Sequence, residues 1–307
     1  MAVYTSINKS ELEDWLKNFL IGPIKDFKGI SSGVTNTNYL ISTEPSKFIL
    51  TIFEGTQTDD LPFFFNLMNF LSNNDFPCPR PIENKKNSYL TLIKDKPAVL
   101  VSFLSGTSKE DVNIEDCYSV GLVLAKFHDK TKNFSEVRVN NRGIDWISDK
   151  FNELKKLLSE SDQRLIELEI SYQIHSYQDE IPKGIIHGDL FRDNVFFSEH
   201  KLSAVIDFYY ACNDQLLLDI AITINDWCSD INGVIQKDKF KNFLEGYQSI
   251  RVLEDLEWQC LNNAMRGAAL RFWVSRLDAY HNIVEGEIIS IKDPNYFKKV
   301  LLNRQAL

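Results

Sequence analysis

The chain has 307 residues, of which 44% are apolar, 25% charged and 12% aromatic, a composition that excludes disordered, collagen-like and coiled-coil proteins and leaves room for two domains or one two-lobed domain. Its 34 basic and 43 acidic residues give a net charge of −9, and the short basic pairs Lys85-Lys86 and Lys298-Lys299 form no stripe able to neutralise a nucleic-acid backbone. Five cysteines without C-x-x-C spacing suggest neither a disulfide framework nor a metal knuckle and fit a reducing cytoplasm, while the acidic N-terminal stretch and the lack of a long apolar run predict neither export nor a membrane span.

Leu12, Trp15, Leu16, Phe19 and Leu20 recur at helical spacing behind a Ser10/Glu13 capping pair, predicting an amphipathic helix that stops at Gly22-Pro23. Three strand-like runs follow, Ile24 to Ile30, Asn38 to Ser42 and Phe48 to Phe53, joined by Ser31 to Thr37 and by Glu44-Pro45-Ser46, and read as an antiparallel meander. A helix over Pro62 to Asn73 and two further strands, Tyr89 to Ile93 and Ala98 to Phe103, complete a sheet-rich segment that ends at Leu104-Ser105-Gly106. Beyond it the period changes to helical over 114–130, 146–160, 163–177, 216–230, 237–249 and 254–280, broken only by apolar β-rich runs at 184–187 and 195–206. The expected fold class is α+β, with a small antiparallel-sheet N-lobe over residues 1–104 and a larger helical C-lobe over 105–307.

Chemistry-bearing residues crowd around the two β-rich runs. Ile186-His187-Gly188-Asp189-Leu190-Phe191-Arg192-Asp193-Asn194 has the form H-x-D-x-x-x-x-N, and Asp207 follows 13 positions later at the end of the strand Ser203-Ala204-Val205-Ile206. Phosphoryl transfer needs a carboxylate to orient and deprotonate an attacking hydroxyl, and a carboxamide with a second carboxylate to hold Mg²⁺ against nucleotide phosphates. Asp189, Asn194 and Asp207 are residues of those types. A strand-loop-strand-turn-strand unit would carry all three side chains to one mouth. His187 reads better as an anchor of the loop than as a metal ligand, because no second His or Cys stands at ligand spacing.

The chain resembles the aminoglycoside phosphotransferase and choline kinase superfamily, of protein-kinase-like two-lobe fold, in His187-Gly188-Asp189 and Ile206-Asp207-Phe208. It is similar, more narrowly, to the type II homoserine kinase family. That likeness rests on the blocks Ser32 to Tyr39, Phe48 to Thr51, Asp60 to Phe64, Asp189 to Val195, Ile206 to Tyr209, Asp219 to Ile222, Asn225 to Cys228 and Arg271 to Leu277. The resemblance implies ATP- and Mg²⁺-dependent phosphorylation of the side-chain hydroxyl of L-homoserine, a step toward threonine, with Asp189 as catalytic base and Asn194 and Asp207 as Mg²⁺ ligands. Asp193 would be a neighbour of the metal, and His187 and Asp219 would brace the loop.

For the nucleotide, Gly33, Asn36, Thr37 and Asn38 are candidates for the phosphates, and Phe103 and Leu104 for the adenine. A protein kinase would place a lysine at Thr51 and a glutamate near Asn66, and this sequence has neither. Lys47, four residues from Thr51 and about 13 Å away along a strand, is no substitute. A homoserine pocket calls for a guanidinium fork and a carboxylate, for which Arg192, Asp226, Trp227, Arg271 and Arg276 are candidates. Arg271 and Arg276 differ by about 140° around a helix, so the two face different surroundings and one is expected to be structural. Competing readings are a kinase of the same fold acting on choline, an aminoglycoside, methylthioribose or another hydroxylated amino acid, a silent nucleotide-binding protein, and metal-dependent hydrolysis by His187 and Asp189.

Overall fold

The computed structural model describes residues 5–30, 36–44, 46–55, 59–282 and 292–307. They divide into two compact units, one ending at Gly106 and one beginning at Thr107.

The first unit opens with helix α1 (Lys9–Leu16), which is shorter than its apolar spacing predicts. Its cap lies two residues upstream of the expected pair. The Glu11 N–H donates to the Asn8 side chain at 2.9 Å and the Asn8 N–H donates to the Glu11 carboxylate at 2.8 Å, so a helix whose first free N–H groups are met at Asn8 has no need of Ser10 and Glu13. Leu20, placed on the helix face by spacing, is 86% exposed.

Strands β1 (Ile24–Gly29), β2 (Asn36–Thr43), β3 (Lys47–Phe53), β4 (Thr91–Ile93) and β5 (Lys96–Ser102) form one antiparallel sheet in the order β1-β2-β3-β5-β4. Strict alternation buries Thr37, Tyr39, Ile41 and Thr43 of β2 on one face. Tyr39, Ile41, Leu50, Ile52 and Leu100 pack with Leu12, Trp15 and Leu16 of α1. Helix α2 (Leu61–Asn73) follows, its Phe65 ring 6.0 Å from that of Phe53.

In the second unit the chain runs α3 (Ile114–Thr131), α4 (Ile144–Leu154), α5 (Glu160–His175), β6 (Lys183–Ile186), β7 (Val195–Ser198), β8 (Lys201–Val205), β9 (Cys212–Gln215), α6 (Leu216–Trp227), α7 (Lys237–Gln248), α8 (Asp255–His281) and α9 (Asn295–Gln305). The helix expected over 146–160 closes at Leu154 and tightens into a 3₁₀ turn, Lys155–Leu157. Strand β6 pairs with β9 and β7 pairs with β8, both antiparallel. These four short strands position the site: β6 delivers His187 to Asp189, β7 leaves from Asn194, and β8 brings the chain back to Asp207. Among the described residues no helix is long and apolar enough to cross a membrane.

Candidate active site

The segment after β6 turns sharply at Gly188, whose φ is +76°; a Cβ there would lie 2.9 Å from the Tyr210 carbonyl oxygen. Only glycine meets both conditions without strain. The bend is tied from behind by Asp219, in the first turn of α6 and fully buried. Its carboxylate accepts the N–H of His187 at 2.7 Å, that of Gly188 at 2.9 Å and the His128 Nε2 at 3.1 Å. Burial alone would raise the Asp219 carboxyl, but the hydrogen bond and charge of His128, with the His187 N–H, hold it below the ordinary carboxylate range. The Tyr247 hydroxyl lies 2.8 Å from His128 Nδ1, so α3 and α7 feed one hydrogen-bonded chain that ends on the backbone beside Asp189.

His187 is buried, and burial pushes its imidazole below the ordinary value, toward the neutral ring. Its Nδ1 accepts the Asp189 N–H at 3.3 Å, and Nε2 donates to the Ile206 carbonyl at 3.1 Å. One ring thus links the backbone of Asp189 to the residue before Asp207, with both nitrogens engaged. On the other side, Asn194 donates from Nδ2 to the Asp189 carbonyl at 2.9 Å and to its carboxylate Oδ2 at 3.1 Å. Its amide nitrogen is spent on Asp189, so the donor atom it can offer a cation is its carbonyl oxygen. The Ile206 N–H bonds the Asn194 carbonyl at 2.9 Å, which fixes the approach of β8. Asp207 itself sits in the left-handed region with φ +65° and ψ +62°, a conformation costly for most residues but accessible to Asp and Asn. Asp189, Asn194 and Asp207 are in this way held together by the backbone and by His187.

Both carboxylates are destabilised as anions. Burial, then the negative charge of Asp207, drives the Asp189 carboxyl well above its ordinary value, against the pull of Arg271. Burial pushes Asp207 up to about 6 despite a hydrogen bond from the Tyr209 N–H. A divalent cation beside them would remove that penalty, and the donors are oxygens, as Mg²⁺ prefers. Among the described residues no group of three or more His, Cys, Asp or Glu side chains is arranged to hold a metal. The sparse protein share, one carboxylate and one carboxamide, suits Mg²⁺, which keeps its remaining positions for phosphates and water. Asp193 lies at the rim in an exposed pair with Lys292 at 2.6 Å.

Asp207→Asn should therefore behave unusually. Asparagine tolerates the left-handed backbone and still accepts from Tyr209, while the unfavourable charge is gone. A carboxyl whose folded value is raised from 3.8 to about 6 destabilises the fold fully above the folded value and not at all below the unfolded one. The variant is expected to melt above the parent in Mg²⁺-free buffer at pH 8, with the gap closing as pH falls from 6 to 4. A gap that is absent at pH 8, or widens on acidification, would contradict this account of Asp207.

The remaining sequence candidates fall into distinct environments. Arg192 and Asp226 grip each other: Nε reaches Oδ2 at 3.2 Å, a terminal nitrogen reaches Oδ1 at 3.3 Å, and the Arg192 N–H donates to Oδ2 at 2.8 Å. Trp227 is fully buried and its indole N–H holds the Leu190 carbonyl at 3.0 Å; it has no surface to offer a ligand. Arg276 donates to the Asp293 carbonyl at 3.1 Å and stacks 4.4 Å from the Phe297 ring centroid. Arg271 is buried at 5% exposure, with one terminal guanidinium nitrogen that has no hydrogen-bond partner among the described residues. Sequence reasoning misses His128, Tyr247, Arg142 and Tyr210, which reach the loop region from α3, α7, the turn before α4 and the turn before β9. A histidine among the apolar residues of the predicted helix over 114–130 is the one signal that could have found any of them.

In the first unit, Gly33 lies outside the described residues. Thr37 is buried, its hydroxyl donating to Glu54 at 2.5 Å and accepting the Thr5 N–H at 3.0 Å. The Thr51 hydroxyl, where a protein kinase has lysine, is buried and donates to the Asn38 side chain at 2.7 Å. Asn36 accepts the Glu54 N–H at 3.4 Å. Glu54 pairs with Lys96, an ion pair between strand ends that no sequence pattern announces. Phe103 is 38% exposed under the Lys47 ammonium, which lies 5.6 Å from its ring centroid, and Leu104 is half-buried.

A sheet unit, a helical unit and a bent H-x-D loop are parts that a phosphotransferase needs, and the chain belongs to the phosphotransferase enzyme family, whose profile matches residues 26–253. Among curated proteins it is 37% identical over 301 residues to the homoserine kinase of Methylobacillus flagellatus, covering 98% of this chain and 94% of that one. It is also 38% identical over 309 residues to the homoserine kinase of Agrobacterium fabrum, covering 99% and 96%. Of solved structures, a spectinomycin phosphotransferase in complex with ADP and spectinomycin matches with TM-score 0.71 at 13% identity, over 98% of this chain and 99% of that one. The choline kinase of Cryptosporidium parvum Iowa II matches with TM-score 0.71 at 15% identity, over 98% and 96%. At such identities the solved structures establish the fold, which is the α+β kinase-like one of the aminoglycoside phosphotransferase and choline kinase superfamily.

Proposed function

We propose that the chain is a homoserine kinase: it moves the γ-phosphoryl group of ATP to the side-chain hydroxyl of L-homoserine, giving O-phospho-L-homoserine for threonine biosynthesis in the cytoplasm. The observation that carries the reading is identity of 35–38% with homoserine kinases over nearly the whole length of both chains. The residues fit the task. Asp189 aims the hydroxyl and takes its proton as the new O–P bond forms. The bond from the γ-phosphorus to its bridging oxygen breaks, and ADP leaves. Because the transition state is loose, positioning of the hydroxyl contributes more than the proton transfer itself. His187, Asn194 and the Asp219 brace keep Asp189 from turning away, which is the preorganisation such a step needs.

Mg²⁺, held by Asn194 and Asp207, would supply charge neutralisation for the phosphates. Residues 1–104, with the segment Gly33 to Asn38, Phe103 and Leu104, are the nucleotide side of this reading, and residues 105–307 the catalytic and acceptor side. With lysine absent at Thr51, backbone N–H groups and the amides of Asn36 and Asn38 take over the phosphates. A coupled ADP-release assay with Mg²⁺-ATP and a panel of L-homoserine, choline, an aminoglycoside and methylthioribose tests the assignment. Homoserine is expected to give the highest kcat/KM and a phosphomonoester product; preference for choline or an aminoglycoside would defeat it.

A further inference from the structure

Buried and recessed arginines of the second unit mostly meet oxygen acceptors. Arg192 meets Asp226, Arg251 meets Glu257, Arg266 meets Glu169, and Arg304 meets Asn225, Gly233 and Ser229. Two guanidinium groups depart from this rule. Arg271 of α8 is buried, with a terminal nitrogen that has no hydrogen-bond partner among the described residues. Arg142, in the turn before α4, lies 4.3 Å from the Trp146 ring centroid, and its guanidinium has no ion-pair partner among the described residues.

The two approach the same ring. Arg271 Cζ is 6.0 Å and Arg142 Cζ 5.8 Å from the centroid of Tyr210. Tyr210 is the residue whose carbonyl oxygen would crowd any Cβ at Gly188, next to Asp189. Helix α8, the turn before α4 and the turn before β9 thus bring two cations to one aromatic ring beside the candidate base. Burial first, and the neighbouring Arg142 charge among lesser effects, weaken the Arg271 guanidinium as a cation, while Asp189 supports it. Asp189 attracts Arg271 from a distance, but neither guanidinium has an ion-pair partner among the described residues, and two like charges converging on one ring are costly unless an anion completes the site.

We propose that Arg271 and Arg142, beside the ring of Tyr210, hold the carboxylate of the amino-acid acceptor and so determine that the enzyme takes a hydroxylated amino acid instead of an amino alcohol. This rests on the homoserine kinase reading and adds to it the residues that select the substrate. A planar guanidinium matches a carboxylate with two parallel hydrogen bonds, and a desolvated one has more to gain from such a partner than an arginine already paired. Arg192, gripped by Asp226, and Arg276, spent on Asp293 and Phe297, are left with positioning roles.

The anion could instead be a nucleotide phosphate, so the test separates the two. Initial rates of Arg142→Gln and Arg271→Gln are compared with the parent using L-homoserine, homoserinamide, in which the carboxylate is a neutral amide, and varied ATP. The parent should prefer homoserine over the amide. Each variant should lose about 10- to 100-fold in kcat/KM for homoserine, chiefly through KM, and should change little with the amide or in KM for ATP. Because Arg271→Gln empties a buried position and can unfold the chain, half-buried Arg142→Gln keeps the proposal exposed to failure. An unchanged preference for homoserine over its amide in Arg142→Gln, an equal loss with both acceptors, or a rise confined to KM for ATP would each overturn it. A parent that phosphorylates homoserine while the variants behave in any of these ways leaves the kinase reading standing; a parent inactive on homoserine but active on choline removes both.

Discussion

Asp189→Asn is expected to lower kcat by about 10³-fold while leaving KM for ATP and homoserine within a few-fold of the parent. Asparagine keeps the size of the side chain, keeps an oxygen for the Asn194 N–H, and keeps the backbone bond to His187. What it lacks is a group that can take the hydroxyl proton, a contribution of about 10² to 10⁴. The fold should not suffer, since the carboxylate it replaces is disfavoured by burial and by Asp207. Steady-state ADP release, with a melting curve of the same preparation, checks both halves. A kcat within tenfold of the parent would remove Asp189 from the chemistry, whereas a melting point far below the parent would mean that the Asp189 charge is structurally needed.

What the sequence discloses about this site follows from how its residues are distributed along the chain. Asp189, Asn194 and Asp207 stand within twenty positions of one another, and strands bounding such a loop can be recognised from apolar runs, so their grouping is visible in the sequence itself. The braces are not. His128 and Tyr247 come from helices whose crossing no local pattern encodes, and Asp219 acquires three partners only when α6 packs against the bend. Arg142 and Tyr210 stay hidden for the same reason.

Elements show the same division. Regular apolar spacing marks α3 and α8 almost to their ends, but β9 is Cys212-Asn213-Asp214-Gln215, a composition poor in β-formers that is strand only because β6 pairs with it. Helix α9 is missing from the sequence reading although its signal is there: Phe297, Val300, Leu301 and Arg304, buried together, stand at i, i+3, i+4 and i+7. The α1 cap falls away from its expected place because Asn8/Glu11 and Ser10/Glu13 are equivalent as patterns and only the path of the preceding chain selects between them. Two polar substitutions at the expected lysine and glutamate, Thr51 and Asn66, are plain in sequence; that Thr51 is turned inward onto Asn38 is not.

The largest expected effect on stability lies away from the loop, where α3 crosses α7. A Cβ at Gly121 would come within 2.1 Å of the Phe243 carbonyl oxygen, and one at Gly246 within 2.1 Å of the Tyr118 carbonyl oxygen. These are backbone atoms, so no rotamer change can relieve the overlap; the helices must move apart. Gly121→Ala and Gly246→Ala are each expected to cost about 3 kcal/mol through this overpacking, less the roughly 1 kcal/mol that alanine gains over glycine inside a helix. One separation of the helices relieves both overlaps, so the double variant should cost clearly less than the sum of the single ones. The same movement would draw the Tyr247 hydroxyl from His128, and with it loosen Asp219 under the bend that carries Asp189. Lower kcat should therefore accompany the stability loss even at temperatures where the variants remain folded. Urea unfolding of the three variants beside homoserine-dependent ADP release decides the matter. Full additivity would place the two glycines in independent contacts, and unaltered kcat would uncouple the helix crossing from the loop.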